Sequence, residues 1–432
     1  MTAPHQTLPI DETSRARLAS EGLTFRLVDT ADAAEHTAWS EATTRGFYGP
    51  AEPAADIEAI RQHVRSDRLT GVYDPTSAAP GQPVATTHCW PADLTLPGDR
   101  TIPGWAVSGV TVAQTHRRRG LARALMEAEL RTAVALGLPV AMLTVSESTI
   151  YGRFGYSPAA LGRILTIDTR RARWTGPETT GRVQFVTGEQ LRHDGFAIVE
   201  RVRPTVPGEV SCSGTGHLWL RRLGLSGRDD NAKNLRFVRH DDEHGTAQGF
   251  ASFQLVENEA DYTQHELKLH ALVAATPEAY AALWRFLLEM DLVVTITADL
   301  RPVDEPLRWM IDDFRAIHTD ERDHLWVRVL DVPAALSART YAASGRVVLR
   351  VDDLLGHADG TWALDVDAAG TATVAAVDEP ADASMTVNAL GSLLLGGVRA
   401  SLLVAAGSLR GDAERLDGLF RSPVEPFLST WF

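Results

Sequence analysis

The sequence predicts an α/β (α+β) protein built from three layered units. Three observations carry that expectation. Strand-type and helix-type hydrophobic periods alternate through about the first 168 residues. The order strand, loop, strand, helix, strand occurs over 83–145 and again over 248–298. Beyond Leu325, five strand signals with paired turn residues precede two helical patterns. A length of 432 residues, at ~150 residues per domain, suits boundaries at 1–168, 169–324 and 325–432.

In the first unit, 23–28 reads as a strand, 32–39 and 55–64 as helices, and 68–73 and 83–90 as strands. The segment 94–103, containing Pro97-Gly98, reads as a turn-rich connection. The Val- and Thr-rich 105–113 is a strand. Over 121–136, Leu125, Met126, Leu130, Ala133 and Val134 recur at helical spacing with Glu127, Glu129 and Arg131 between them, and Gly137 and Pro139 end the helix. Strands follow at 140–145 and 163–168, then a linker over 169–176. The second unit offers strands at 248–256 and 266–274, a helix over 276–290 with Pro277 at its start, and a strand at 292–298. In the third, strands are expected at 325–332, 346–351, 361–366, 372–377 and 383–387, and helices at 390–395 and 400–406.

Composition narrows the partners. With 42 basic and 56 acidic side chains, the net charge is −14. Such a surface repels nucleic acid and anionic membranes and attracts cations. Cys89 and Cys212 are the only cysteines, which gives neither a disulfide framework nor a cysteine zinc site. No metal is expected, and a reducing cytoplasm is the simple location. Residues 1–12 lack the basic and apolar regions of a signal peptide. The apolar stretch 389–407 is broken by Gly396, Gly397 and Arg399, and reads as two packed helices rather than a membrane span.

The chemistry concentrates at 109–122, where a strand runs through Gln114-Thr115-His116-Arg117-Arg118-Arg119-Gly120 into a helix. Unpaired N–H groups at a helix start, small residues and arginines together make a site for a pyrophosphate. The pattern is not the Gly-x-Gly-x-x-Gly of a dinucleotide fold, so a dehydrogenase is set aside.

This segment resembles the coenzyme A loop of GNAT-type N-acetyltransferases, and Ser146-Glu147-Ser148-Thr149-Ile150-Tyr151-Gly152-Arg153-Phe154-Gly155-Tyr156 resembles their second motif. Together with a C-terminal aromatic residue, these motifs are similar to the Eis family of aminoglycoside acetyltransferases over the whole chain. The resemblance implies tandem GNAT-like domains followed by a sterol-carrier-protein-like α/β domain, and a homohexamer. It implies acetyl-coenzyme A as acyl donor and a cationic amine as acceptor. Val110, Thr111 and Val112 would hold the pantetheine arm; Arg118, Arg119, Gly120, Leu121, Ala122 and Arg123 would wrap the pyrophosphate; Ser146 and Glu147 would complete the donor site. The second domain of this family has lost the loop, and here 274–278 has neither its glycine nor its arginines.

Acetylating an ammonium requires a base, and the departing thiolate requires an acid. GNAT enzymes often carry the base on the strand before the loop, yet 101–116 contains no Asp or Glu. The resemblance implies the α-carboxylate of Phe432 as base and Tyr151 as acid. His88 and Asp93 are rival bases, and Tyr156 and His116 rival acids. Phe25, Trp39, Phe47 and Tyr48 are assigned to the core rather than to an amine pocket. Two other functions stay open: a lipid- or acyl-binding protein acting through the third unit, and an acyltransferase that uses a longer acyl chain or protein lysine.

Overall fold

The computed structural model describes residues 3–211, 219–220, 223 and 234–432. Cys212 lies outside the described residues.

Among the described residues, the strands form a twelve-stranded and a five-stranded sheet. The first unit supplies β1 (Thr24–Leu27), β2 (Arg68–Tyr73), β3 (Ala85–Leu96), β4 (Arg100–Val112), β5 (Val140–Thr144) and β6 (Ser157–Asp168). The second supplies β7 (Arg182–Val186), β8 (Leu235–Asp241), β9 (Ala247–Val256), β10 (His265–Ala274), β11 (Val293–Arg301) and β12 (Ile317–Val329). Their order in the large sheet is β1-β2-β3-β4-β5-β12-β6-β11-β10-β9-β8-β7. The repeated grammar is real in three dimensions. β3 is antiparallel to β4, which is parallel to β5; β9 is antiparallel to β10, which is parallel to β11.

Two expectations about strands change. The segment 94–103 is no loose connection, because β3 and β4 run to a tight hairpin around Pro97-Gly98-Asp99. Leu94, Leu96 and Ile102 are buried there, so core packing carries the ladder to the turn. Leu325–Val329, grouped by sequence with the third unit, is the end of β12. It pairs with β5 on one side and β6 on the other. A buried strand of mostly apolar residues carries no sign of which sheet it enters.

The helix Leu121–Ala135 crosses the first unit and buries Leu125, Met126 and Leu130. Val134, expected on its inner face, is 44% exposed. Glu129 is fully buried beside Arg68, at 3.5 Å. Burial pushes its carboxyl upward.

The third unit is a five-stranded sheet, β13 (Gly345–Asp352), β14 (Gly360–Val366), β15 (Ala372–Ala376), β16 (Ala383–Thr386) and β17 (Leu409–Arg410), in the order β15-β14-β13-β16-β17. The apolar stretch at 389–407 forms parts of two short helices, Val387–Leu393 and Ala400–Ala405. Among the described residues, no helix is long and apolar enough to cross a membrane. After the helix Ala413–Phe420, residues 421–432 form an irregular strap. Phe427 N donates to Pro207 O at 2.8 Å as the strap crosses the second unit.

Candidate active site

β4 and β5 are paired only at Gly104–Val140, Trp105–Ala141 and Ala106–Met142. Beyond these positions they part around a cleft of about 290 Å³, lined by 107–110 of one strand and 144–146 of its neighbour. A parted strand leaves backbone groups available to an extended ligand. The β3–β4 register slips between Thr86 and His88, and across from the slip Gly109 takes φ +58°. This bulge re-aims the strand beside the cleft, and a glycine inside a Val- and Thr-rich strand is its sequence signal.

β4 then enters the turn Gln114–His116 and the Arg-rich loop. His116 fixes the turn: its ring lies 2.8 Å from Thr115 Oγ1 and 3.0 Å from Asp74 Oδ2. The contact with His116 holds the Asp74 carboxyl far below the usual range. Gly120 stands at the N-cap of Leu121–Ala135 with φ +74° and no side-chain cap. The first N–H groups of that helix, on Leu121, Ala122 and Arg123, therefore lack intrahelical partners and form an anion cradle. With φ +74°, Gly120 holds a left-handed conformation that other residues rarely adopt, and only the mobile tip of Arg17 stands near where a Cβ would be. This cradle and the parted strand fit a pyrophosphate followed by an extended amide chain, as in coenzyme A.

The expected donor-site residues divide. Val110 and Ser146 line the cleft. Thr111 turns its hydroxyl away, 2.7 Å from Thr86 Oγ1, and Val112 is in register with Ala85. Arg118 is exposed on left-handed backbone, φ +63°. Arg119 is drawn toward Glu21, donating to its carbonyl at 3.3 Å, and Arg123 Nε stands 3.9 Å from Glu127. Glu147 is exposed, and its carboxylate accepts from Thr149 Oγ1 at 3.2 Å.

Tyr151 ends the short helix Ser148–Tyr151 and lines the cleft at 7% exposure. Burial, with a smaller contribution from Glu147, pushes its phenol up to about 12. The hydroxyl is thus protonated at neutral pH. The turn after Tyr151 is braced by the third unit, because Asn388 Nδ2 donates to Gly152 O and to Tyr156 O, both at 2.8 Å. Arg328, buried and 2.6 Å from Asp353, donates to Phe154 O at 2.8 Å. Of the rival acids, Tyr156 is fully buried and His116 is engaged in the loop.

Phe432 lines the cleft. Its N–H donates to Thr144 Oγ1 at 3.1 Å, and that hydroxyl donates back to the Phe432 main-chain oxygen. Its ring meets Trp90 edge-on at 5.5 Å. His88 also lines the cleft, with Nε2 2.8 Å from Asp67 Oδ2. Burial raises the Asp67 carboxyl. Asp93 is exposed and outside the lining.

Trp39 and Phe47, assigned to the core by sequence, line the cleft with Ile60, Val64 and Trp431. Phe25 is core. Tyr48 is 77% exposed and borders an adjoining recess that also holds Glu41 and Glu52. Thr144 and Asn388 had no sequence signal, since pairing across more than 200 residues brings each to its partner.

Comparison with known proteins shows the family and the domains. Residues 28–159 and 215–329 each match an acetyltransferase (GNAT) domain family, and 332–429 match a sterol carrier protein domain family. The chain is 37% identical over 395 residues to the N-acetyltransferase Eis of Mycobacterium tuberculosis, covering 88% of this chain and 92% of that one. It is 35% identical over 406 residues to an N-acetyltransferase of Streptomyces coelicolor, covering 92% and 97%. The crystal structure of Eis1 from Mycobacterium abscessus superposes with a TM-score of 0.79 at 30% identity, covering 94% of this chain and all of that one. The chain belongs to the Eis family of GNAT N-acetyltransferases, two GNAT domains followed by a sterol-carrier-protein domain.

Proposed function

We propose that this enzyme moves the acetyl group of acetyl-coenzyme A to a primary amine, with the α-carboxylate of Phe432 as general base and Tyr151 as general acid. The observation that carries this reading is the seating of Phe432 on Thr144, in the same cleft as the Tyr151 phenol. The donor supplies a thioester-activated acetyl group. Phe432 takes a proton from the ammonium, freeing the nitrogen lone pair. As the C–N bond forms and the C–S bond breaks, Tyr151 gives its proton to the departing sulfur. The loop 117–123 holds the donor's phosphates, and the parted edge of β4 holds its amide arm. A reducing cytoplasm and the homohexameric assembly implied by the resemblance belong to this reading.

Two acceptor classes are separable. The resemblance implies a polycation such as an aminoglycoside, and the charge of −14 favours its approach. The cleft walls, formed by Trp39, Phe47, Ile60, Val64 and Trp431, favour an amine carried on an apolar body. Turnover with acetyl- and myristoyl-coenzyme A against an aminoglycoside, a lysine peptide and an arylalkylamine ranks both the acyl chain and the acceptor.

The base is tested by amidating Phe432, which keeps its ring and removes the charge, alongside Phe432→Leu, which keeps the carboxylate. The amide should fold, bind acetyl-coenzyme A and lose turnover by 10²-fold or more, while Phe432→Leu retains part of its activity. A folded, fully active amide removes Phe432 from the mechanism and leaves the His88–Asp67 pair as the group to test.

A further inference from the structure

The strap that carries Phe432 has no regular structure, yet Thr430 and Phe432 are almost fully buried. Its hold on the large sheet comes from two adjacent strands. Thr144 on β5 takes Phe432. On β12, one residue before Leu325, the partner of Thr144 across the ladder, stands His324. The His324 ring lies with Nε2 2.9 Å from Thr430 O and meets the Trp431 ring edge-on at 4.4 Å. Between Asp323 and Leu325 the β12–β6 register slips, so His324 is the extra residue of a bulge. A bulge re-aims a side chain out of the strand's alternation. Two extended residues cover ~6.6 Å and neighbouring strands lie ~4.8 Å apart. The step from Thr430 to Phe432 is therefore long enough to cross from β12 to β5.

We infer that His324 is a positioning residue, whose Nε2–H donates to Thr430 O and holds the strap so that the Phe432 carboxylate stays in register on Thr144. The inference rests on the reading of Phe432 as base. Burial lowers the His324 imidazole to about 4, so the ring is neutral at working pH and donates from one nitrogen. A neutral donor suits the task, because a cation beside the strap would compete with the ammonium for the carboxylate.

The test compares His324→Leu, which fills the space without a donor, with His324→Gln, which restores an N–H. Three readouts are taken on the full chain: turnover, acetyl-coenzyme A affinity, and the rate at which carboxypeptidase A releases Phe432. In His324→Leu, kcat should fall about 30-fold with the donor's Kd unchanged within about 2-fold, and release of Phe432 should quicken at least 10-fold. His324→Gln should return kcat to within about 3-fold of the parent. If His324→Leu fails to fold, His324→Phe keeps the edge contact with Trp431, lacks the donor, and carries the same expectations. Unchanged release overturns the clamp. Faster release with unchanged turnover overturns the reading of Phe432 as base and leaves the clamp no part in catalysis. Lost turnover with unchanged release, or no rescue by Gln, assigns His324 to stability alone and overturns the inference.

Discussion

The two GNAT domains share one topology and differ where a strand hands over to a helix. In the first, Gly120 at the N-cap offers no side chain and leaves the N–H groups of Leu121–Ala135 to a ligand. In the second, Thr276 Oγ1 accepts from Ala279 N at 3.1 Å, and Pro277 removes one donor outright. Glu278 then puts a carboxylate in the first turn, which Thr180 engages through its N–H and hydroxyl, both at 2.6 Å. The same helix start is thus uncapped by a side chain in one copy and capped in the other. In the proposed reading, the residues of one short turn, and not the fold alone, make the donor site.

The comparison breaks most sharply at Gly120. Gly120→Asp should weaken acetyl-coenzyme A binding by at least about 100-fold in calorimetry, because a carboxylate would meet the pyrophosphate and the backbone there holds φ +74°. Thr276→Asp in the second domain keeps a capping oxygen and should leave that affinity unchanged. Equal losses from both changes would erase the distinction. Next comes Tyr151→Phe, which keeps the ring and deletes the proton. Its kcat should fall roughly 10²-fold with KM nearly constant, and a near-normal kcat would reduce Tyr151 to a packing residue. Asn388→Ala removes two hydrogen bonds that brace the Tyr151 turn, a loss of about 2 kcal/mol in urea unfolding. A drop in kcat without a drop in donor affinity would show that the brace serves the acid and not the loop. The smallest effect belongs to Thr276→Ala, about 1 kcal/mol of stability with turnover unchanged. A loss of turnover there would mean that the second domain does more than support the first.

What the sequence revealed was what lies close together along the chain. The loop from His116 to Arg123 and the turn from Ser146 to Tyr156 are contiguous, so their glycines, arginines and tyrosine could be read directly. The second domain's loss of the loop was legible for the same reason. The bulge at Gly109 left a visible mark, a glycine in a strand. Thr144, His324, Asn388 and Asp67, the partner of His88, left none. Each gains its place from a partner on a different element, and a threonine on a buried strand looks the same whether or not the end of the chain reaches it. Trp39 and Phe47 read as core in the sequence because an aromatic that lines a cleft follows the same periodicity as one that fills an interior.

The insertion of β12 between β5 and β6 bears on how the chain folds. Until residue 329 has been made, the edges of β5 and β6 that face each other have no strand between them, and the ladder must close contacts such as Thr144 with Leu325 across some 180 residues. Contacts that distant make slow folding and long exposure of open edges. A fragment ending at Asp168 would therefore leave one edge of β5 and both edges of β6 without their partners, and the first domain is not a unit that can be cut out at its own last strand. During synthesis its sheet stays open until β12 at the end of the second domain has been made, which makes that domain the step on which the first one's assembly waits.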